Sequence, residues 1–184
     1  MVRRARRLEE QGALTYEVCR NMPVPEAIIT GLVRHKMLWC EQQGKQGLFD
    51  QPNVLEFSRQ LIEEAARNGT LFLAWLKCGD SIIAHHLGFQ HGKKLYGYTG
   101  AYDAAWVKYS PGHIMTIRAI VWAIENGLEE YDQMQGEFAY KHQFANGARE
   151  CKEYTFYNSL KGWLGAELYI KRRAIKRAIH QNHT

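Results

Sequence analysis

"KLYGYTGAYDAAWVKYSPGHIMTIRAIVWAIENGLEEYDQM", residues 94–134, reads as a strand, a helix and a second strand. The opening nine residues are rich in tyrosine, which suits a pleated surface. Ser110 and Pro111 mark the N-cap and first position of a helix, and Gly127 stands just past its end. Between those marks the helix is apolar on almost every side, so a buried helix is expected. Its first turn offers the backbone N–H groups of Gly112, His113 and Ile114 at a positive helix end, and Gly112 lets a large anion come close.

Working upstream, "TLFLAWLKC" (70–78), "SIIAHHLGFQH" (81–91) and "KLYGYTGAY" (94–102) are separated by Gly79-Asp80 and Gly92-Lys93, which predicts an antiparallel meander. "ALTYEVC" (13–19) alternates as a strand does. Helical spacing follows in residues 24–44, through Ile28, Leu32, Met37 and Trp39, and in residues 53–69, which close at Gly69. Downstream of residue 134 come a short helical stretch around 137–145 and a strand "CKEYTFYN" (151–158). Last is a cationic amphipathic helix over 160–180, with Trp163, Leu164, Leu168, Ile175 and Ile179 on its apolar side. That helix is expected to dock on the body, with membrane-surface binding as the alternative. With no linker or low-complexity run, the reading is one α/β (α+β) domain over 1–184. Its mixed, mostly antiparallel sheet is flanked by helices.

The formal charge of +5 is located at the two ends. Arg3, Arg4, Arg6 and Arg7 lie in a basic segment 1–12, and Lys171, Arg172, Arg173, Lys176 and Arg177 lie in the last helix. Without them, residues 8–170 carry 15 Lys/Arg against 19 Asp/Glu, so the body is mildly acidic and the pI near 9.0 is no mark of a nucleic-acid-binding core. No apolar run is long enough to span a membrane and the N-terminus lacks a signal-peptide core, which predicts a cytoplasmic protein. The four cysteines, Cys19, Cys40, Cys78 and Cys151, are spaced unlike zinc ligands and are expected as free thiols. His85 and His86 are adjacent in a strand, face opposite sides and do not share a metal, so no metal is expected.

The order of elements is similar to that of the GNAT N-acyltransferase fold. Tyr109-Ser110-Pro111-Gly112, then Tyr131-Asp132, then Gly136-Glu137-Phe138-Ala139-Tyr140-Lys141 with Phe144 resemble, in order and spacing, the core of the CelD-like acetyltransferase family, which is related to the FemAB aminoacyl-transferases. The resemblance covers residues 14–160. Members commonly carry two GNAT-like halves, and this sequence resembles the C-terminal one, so a second copy as a homodimer, or a separate half, is an implied partner.

What the resemblance implies is transfer of an acyl group, acetyl in the first place, from acyl-CoA to an amine of a small molecule or cell-envelope acceptor by direct attack. It places the donor's pyrophosphate on the turn formed by Tyr109, Ser110, Gly112, His113 and Ile114. Glu137 is the expected general base and Asp132 the second choice. Tyr140 and Lys141 are expected to protonate the departing thiolate and to stabilise the oxyanion. Tyr98, Tyr102 and Gln135 are candidate acceptor contacts; Tyr96, Tyr98 and Tyr102 alternate along one strand. Two alternatives remain open: FemAB-like transfer from aminoacyl-tRNA, with the basic ends on RNA, and a non-catalytic half-domain that dimerises or binds a partner.

Overall fold

Two-residue turns at Gly79-Asp80 and Gly92-Lys93, each with its glycine at φ 56°, fold β2 (Leu71–Cys78), β3 (Ser81–His91) and β4 (Lys94–Tyr102) into the expected meander. The computed structural model describes residues 2–44, 48–136, 138–152, 154 and 156–181. It divides them into two compact units, up to Gly136 and from Glu137 onward.

In the first unit, β1 (Leu14–Cys19) pairs antiparallel with β2, and β5 (Glu130–Asp132) pairs parallel with β4, giving a five-stranded sheet in the order β1-β2-β3-β4-β5. The parallel pair requires a crossover, and α4 (Pro111–Glu125) supplies it. On one face lie α2 (Glu26–Gln42) and α3 (Val54–Arg67), burying Ile28, Ile29, Leu32 and Ile62 against Leu71, Leu73, Trp75, Leu87 and Ala101. On the other, Ile114, Met115, Ala119 and Ala123 of α4 pack on Phe72, Ala74, Leu76 and Leu95. Covered on both faces, β2 is apolar and almost wholly buried.

One helix is added to the expected order, and two expectations about burial are corrected. The basic segment 1–12 contains a helix, α1 (Val2–Glu9), and its Leu8 is fully buried in the α4-side core while its carbonyl accepts from the Cys78 thiol. In the helix over 24–44, Met37 is exposed. Most consequential, α4 is not buried all round: Val121 and Ile124 are exposed, since a helix laid on a single sheet face buries one stripe.

The second unit holds α5 (Ala139–His142) and α6 (Leu160–Gln181). The described residues of the expected strand 151–158 form none. They are exposed, and no strand lies among the described residues of their unit. All four cysteines are free thiols, with Cys40 and Cys78 buried and Cys151 exposed.

Candidate functional site

The partner of β4 changes partway along its length. Its register with β5 is Lys94↔Glu130, Leu95↔Tyr131 and Tyr96↔Asp132, and there the pairing stops. From Gly97 to Tyr102, β4 continues with no β5 residue opposite, so two parallel strands part at their carboxyl ends. At the same point the register with β3 slips: Tyr96 faces Phe89 and Thr99 faces Leu87, leaving Gly97 and Tyr98 opposite Gly88 alone. That is a β-bulge, with one extra residue on β4.

Glycines make the bulge possible. A Cβ at Gly88 would stand 2.5 Å from the Tyr96 carbonyl oxygen, and one at Gly97 would stand 2.7 Å from Tyr131 Oη and 3.0 Å from His86 Nε2. Below the bulge, Tyr131 Oη and His86 Nε2 are 3.3 Å apart, so the aromatic of the Tyr131-Asp132 pair braces it. Asp132 closes β5: its Oδ1 accepts from the Met134 N–H at 2.7 Å, a turn that ends the strand where β4 and β5 separate.

The bulge also decides where the tyrosines go. Extra residues shift side-chain phase, so Tyr98 and Tyr102 leave β4 on opposite faces, contrary to the regular alternation expected. Tyr98 is exposed and lies 5.6 Å, ring to ring, from Phe89 on the α2 and α3 side. Tyr102 packs on the α4 side, where a Cβ at Gly112 would meet its ring at 3.3 Å.

Beyond Tyr102, Asp103 Oδ1 accepts from the Ala105 N–H and starts a 3-10 turn, Ala104–Tyr109. Tyr109 ends it, 8% exposed and packed in the α4-side core, so this member of the expected phosphate turn serves as an anchor. Ser110 then takes a left-handed conformation, φ 56° and ψ 52°, with no side-chain cap bond. Its carbonyl instead accepts from the N–H groups of His113 and Ile114, at 3.0 and 3.3 Å. Two of the three donors expected to be free are therefore engaged, and Ile114 is buried. Ser110 and Gly112, both half-buried, stand at the start of a 15-residue helix with no acid in its first turn, a positive end suited to an anion. Gly112 meets Tyr102, so this positive end lies at the carboxyl end of β4, where parallel strands leave a crevice.

Of the residues expected to carry chemistry, Asp132 and the Ser110 turn belong to the first unit, and so does the exposed Gln135. Tyr140 and Lys141 belong to the second, on α5. The Tyr140 ring stacks on Phe138 at 6.0 Å, and Lys141 Nζ lies 5.6 Å from the same ring. Tyr140 is 47% exposed, and its partial burial raises the hydroxyl above a range in which a phenol is already protonated at neutral pH. Glu137 lies outside the described residues. Among those described, no group of three or more His, Cys, Asp or Glu is placed to hold a metal ion.

Sequence reading missed the bulge and a buried histidine pair. His85 points into the α2 side, its ring 5.3 Å from that of His35, while His86 points to the α4 side, as the alternation predicted. The only local signal for the bulge was a glycine on each of the two facing strands, Gly88 and Gly97.

Residues 1–142 match the model of the acetyltransferase (GNAT) domain family. Comparison with curated proteins finds no match. Among solved structures, the chain is similar to a predicted acetyltransferase from Clostridium acetobutylicum determined with acetyl-CoA. The two are 14% identical with a TM-score of 0.54, over 81% of this chain and 98% of that one. A possible acetyltransferase from Clostridium difficile 630 is 11% identical, TM-score 0.52, over 80% and 97%. An aminoglycoside acetyltransferase from an uncultured soil metagenomic sample, in complex with sisomicin, is 16% identical, TM-score 0.50, over 83% and 99%. At these identities the likeness is one of fold.

Proposed function

The chain belongs to the GNAT acetyltransferase-domain family, and from that premise we propose that it moves an acetyl group from acetyl-CoA to an amine by direct attack, with the donor in the opening between β4 and β5. Acetyl transfer from an acyl-CoA is the chemistry of the family. One observation carries it: the parallel strands part at the bulge of Gly97 and Tyr98, and the positive end of α4 stands where β4 ends. The Gly112 N–H and Ser110 hydroxyl would hold the pyrophosphate, with the helix dipole adding to the attraction. The thioester would lie along the β4 edge, whose backbone from Gly97 onward has no β5 partner to occupy it.

Transfer also requires a base for the amine, a donor for the oxyanion and a proton for the thiolate. Tyr140, held protonated, suits the last role, and Lys141 the second. Glu137 is the candidate base. Asp132 fits less well, because its carboxylate is engaged by the Met134 N–H. The order of the Tyr109–Gly112, Tyr131-Asp132 and Gly136–Lys141 motifs supports a CelD-like member of the family.

Calorimetric titration with acetyl-CoA and with CoA tests this reading, using Gly112→Ala and Gly112→Asp as a pair. Both substitutions press a Cβ on Tyr102, and only the second adds charge. Binding kept by the alanine variant and weakened at least tenfold in the aspartate variant is the expected result. Equal binding by the two would remove the phosphate from this turn.

A further inference from the structure

The family match ends at residue 142, and α6 lies wholly beyond it. Taken by itself, the second unit leaves Leu160, Trp163, Leu164, Leu168, Tyr169 and Ile170 of this helix exposed. Leu160, Leu164 and Leu168 repeat at intervals of four and so form one stripe, flanked by Trp163 and Ile170. Glu167 and Lys171 also fall along it, at the spacing that lets them neutralise each other. An exposed apolar run of this size on a soluble unit marks a contact surface.

Charge identifies what is contacted. From residue 160 to the last residue the sequence has six basic residues, Lys161, Lys171, Arg172, Arg173, Lys176 and Arg177, against Glu167 alone. Lys161 and Arg172 border the leucine stripe on the helix wheel. A polynucleotide would use the charges and leave the leucines in water, whereas a second copy would bring together two helices of the same net positive charge. An anionic bilayer uses both, taking leucines into the acyl boundary, Trp163 at the headgroup level and basic side chains on lipid phosphates.

We propose that α6 is an interfacial helix that binds the surface of an anionic lipid bilayer through Leu160, Leu164 and Leu168, flanked by Lys161 and Arg172. The helix lies in the plane of the surface; no helix of the described chain is long and apolar enough to cross a membrane. This inference is independent of the transfer chemistry and holds whether or not acetyl-CoA binds as proposed.

The test is co-sedimentation of the full chain with vesicles of phosphatidylcholine alone and with about 30% phosphatidylglycerol, in 0.1 M salt. Binding at least about tenfold stronger to the anionic vesicles is expected, given the contribution of each basic residue near such a surface. The double variant Leu164→Glu/Leu168→Glu is expected to lose it while keeping the far-UV circular dichroism and thermal midpoint of the unchanged chain. Absence of binding to anionic vesicles overturns the proposal, as does undiminished binding by the double variant, which would reduce the effect to charge alone. Self-association that the double variant abolishes, without vesicle binding, would assign the stripe to a second copy. A tRNA shift lost on replacing Arg172, again without vesicle binding, would assign the helix to RNA.

Discussion

Lowering the pH from 8 to 5 is expected to remove about 4 kcal/mol of folding stability, because two histidines buried on opposite faces of β3 must stay neutral in the folded chain. His85 is 1% exposed, and both its ring nitrogens lack partners; burial first, then the neighbouring His35 and Arg34, hold it down to about 3. His86 is held down to about 4 by burial. In the unfolded chain each imidazole titrates near its ordinary value of 6.5. Below that pH the unfolded state binds protons that the folded state refuses, so stability is full above about 6.5 and falls with pH until the folded values are reached. At pH 5 the fall is set almost entirely by the unfolded value, about 1.5 pH units above the solution, which gives about 2 kcal/mol per histidine. His35 is shifted in the same direction by burial and adds to the loss. The carboxylate of Glu26, held down by Arg59, releases its contribution only at more acid pH, so it does not blur this window. Urea unfolding at pH 8 and pH 5 measures the difference, and in a His86→Leu variant the fall should shrink by about 2 kcal/mol. A fall below about 1 kcal/mol in the unchanged chain, or one of equal size in the variant, would refute the reasoning.

Two further outcomes test the site. Gly88→Ala should cost about 1–3 kcal/mol in urea unfolding, because its Cβ meets a backbone oxygen, that of Tyr96, at 2.5 Å and the bulge must shift; an effect within 0.5 kcal/mol would show that the strands give way freely. Lys141→Ala should lower turnover by about tenfold or more, measured as release of the CoA thiol with an accepted amine, and leave the thermal midpoint nearly unchanged. Equal turnover would remove Lys141 from the chemistry.

Most of the fold was legible because its signals are local. The glycine turns delimit β3 and β4 to the residue, Ser110-Pro111 opens α4, and the apolar runs of β2 announce a strand covered on both faces. Parts of the candidate site were legible too, namely the positive end of α4 and the Tyr131-Asp132 pair at the end of β5. The described residues of the segment 151–158 form no strand although their local pattern alternates, because strand pairing needs a partner that a local pattern does not contain. Tertiary structure alone placed the bulge at Gly97 and Tyr98, and through it sent Tyr98 and Tyr102 to opposite faces. It also drew Tyr109 into the core. Propensity, turns and caps are properties of a few neighbouring residues, and the sequence by itself determined them. Register and side-chain phase depend on residues far apart in the chain, and only the assembled sheet and helices decide them.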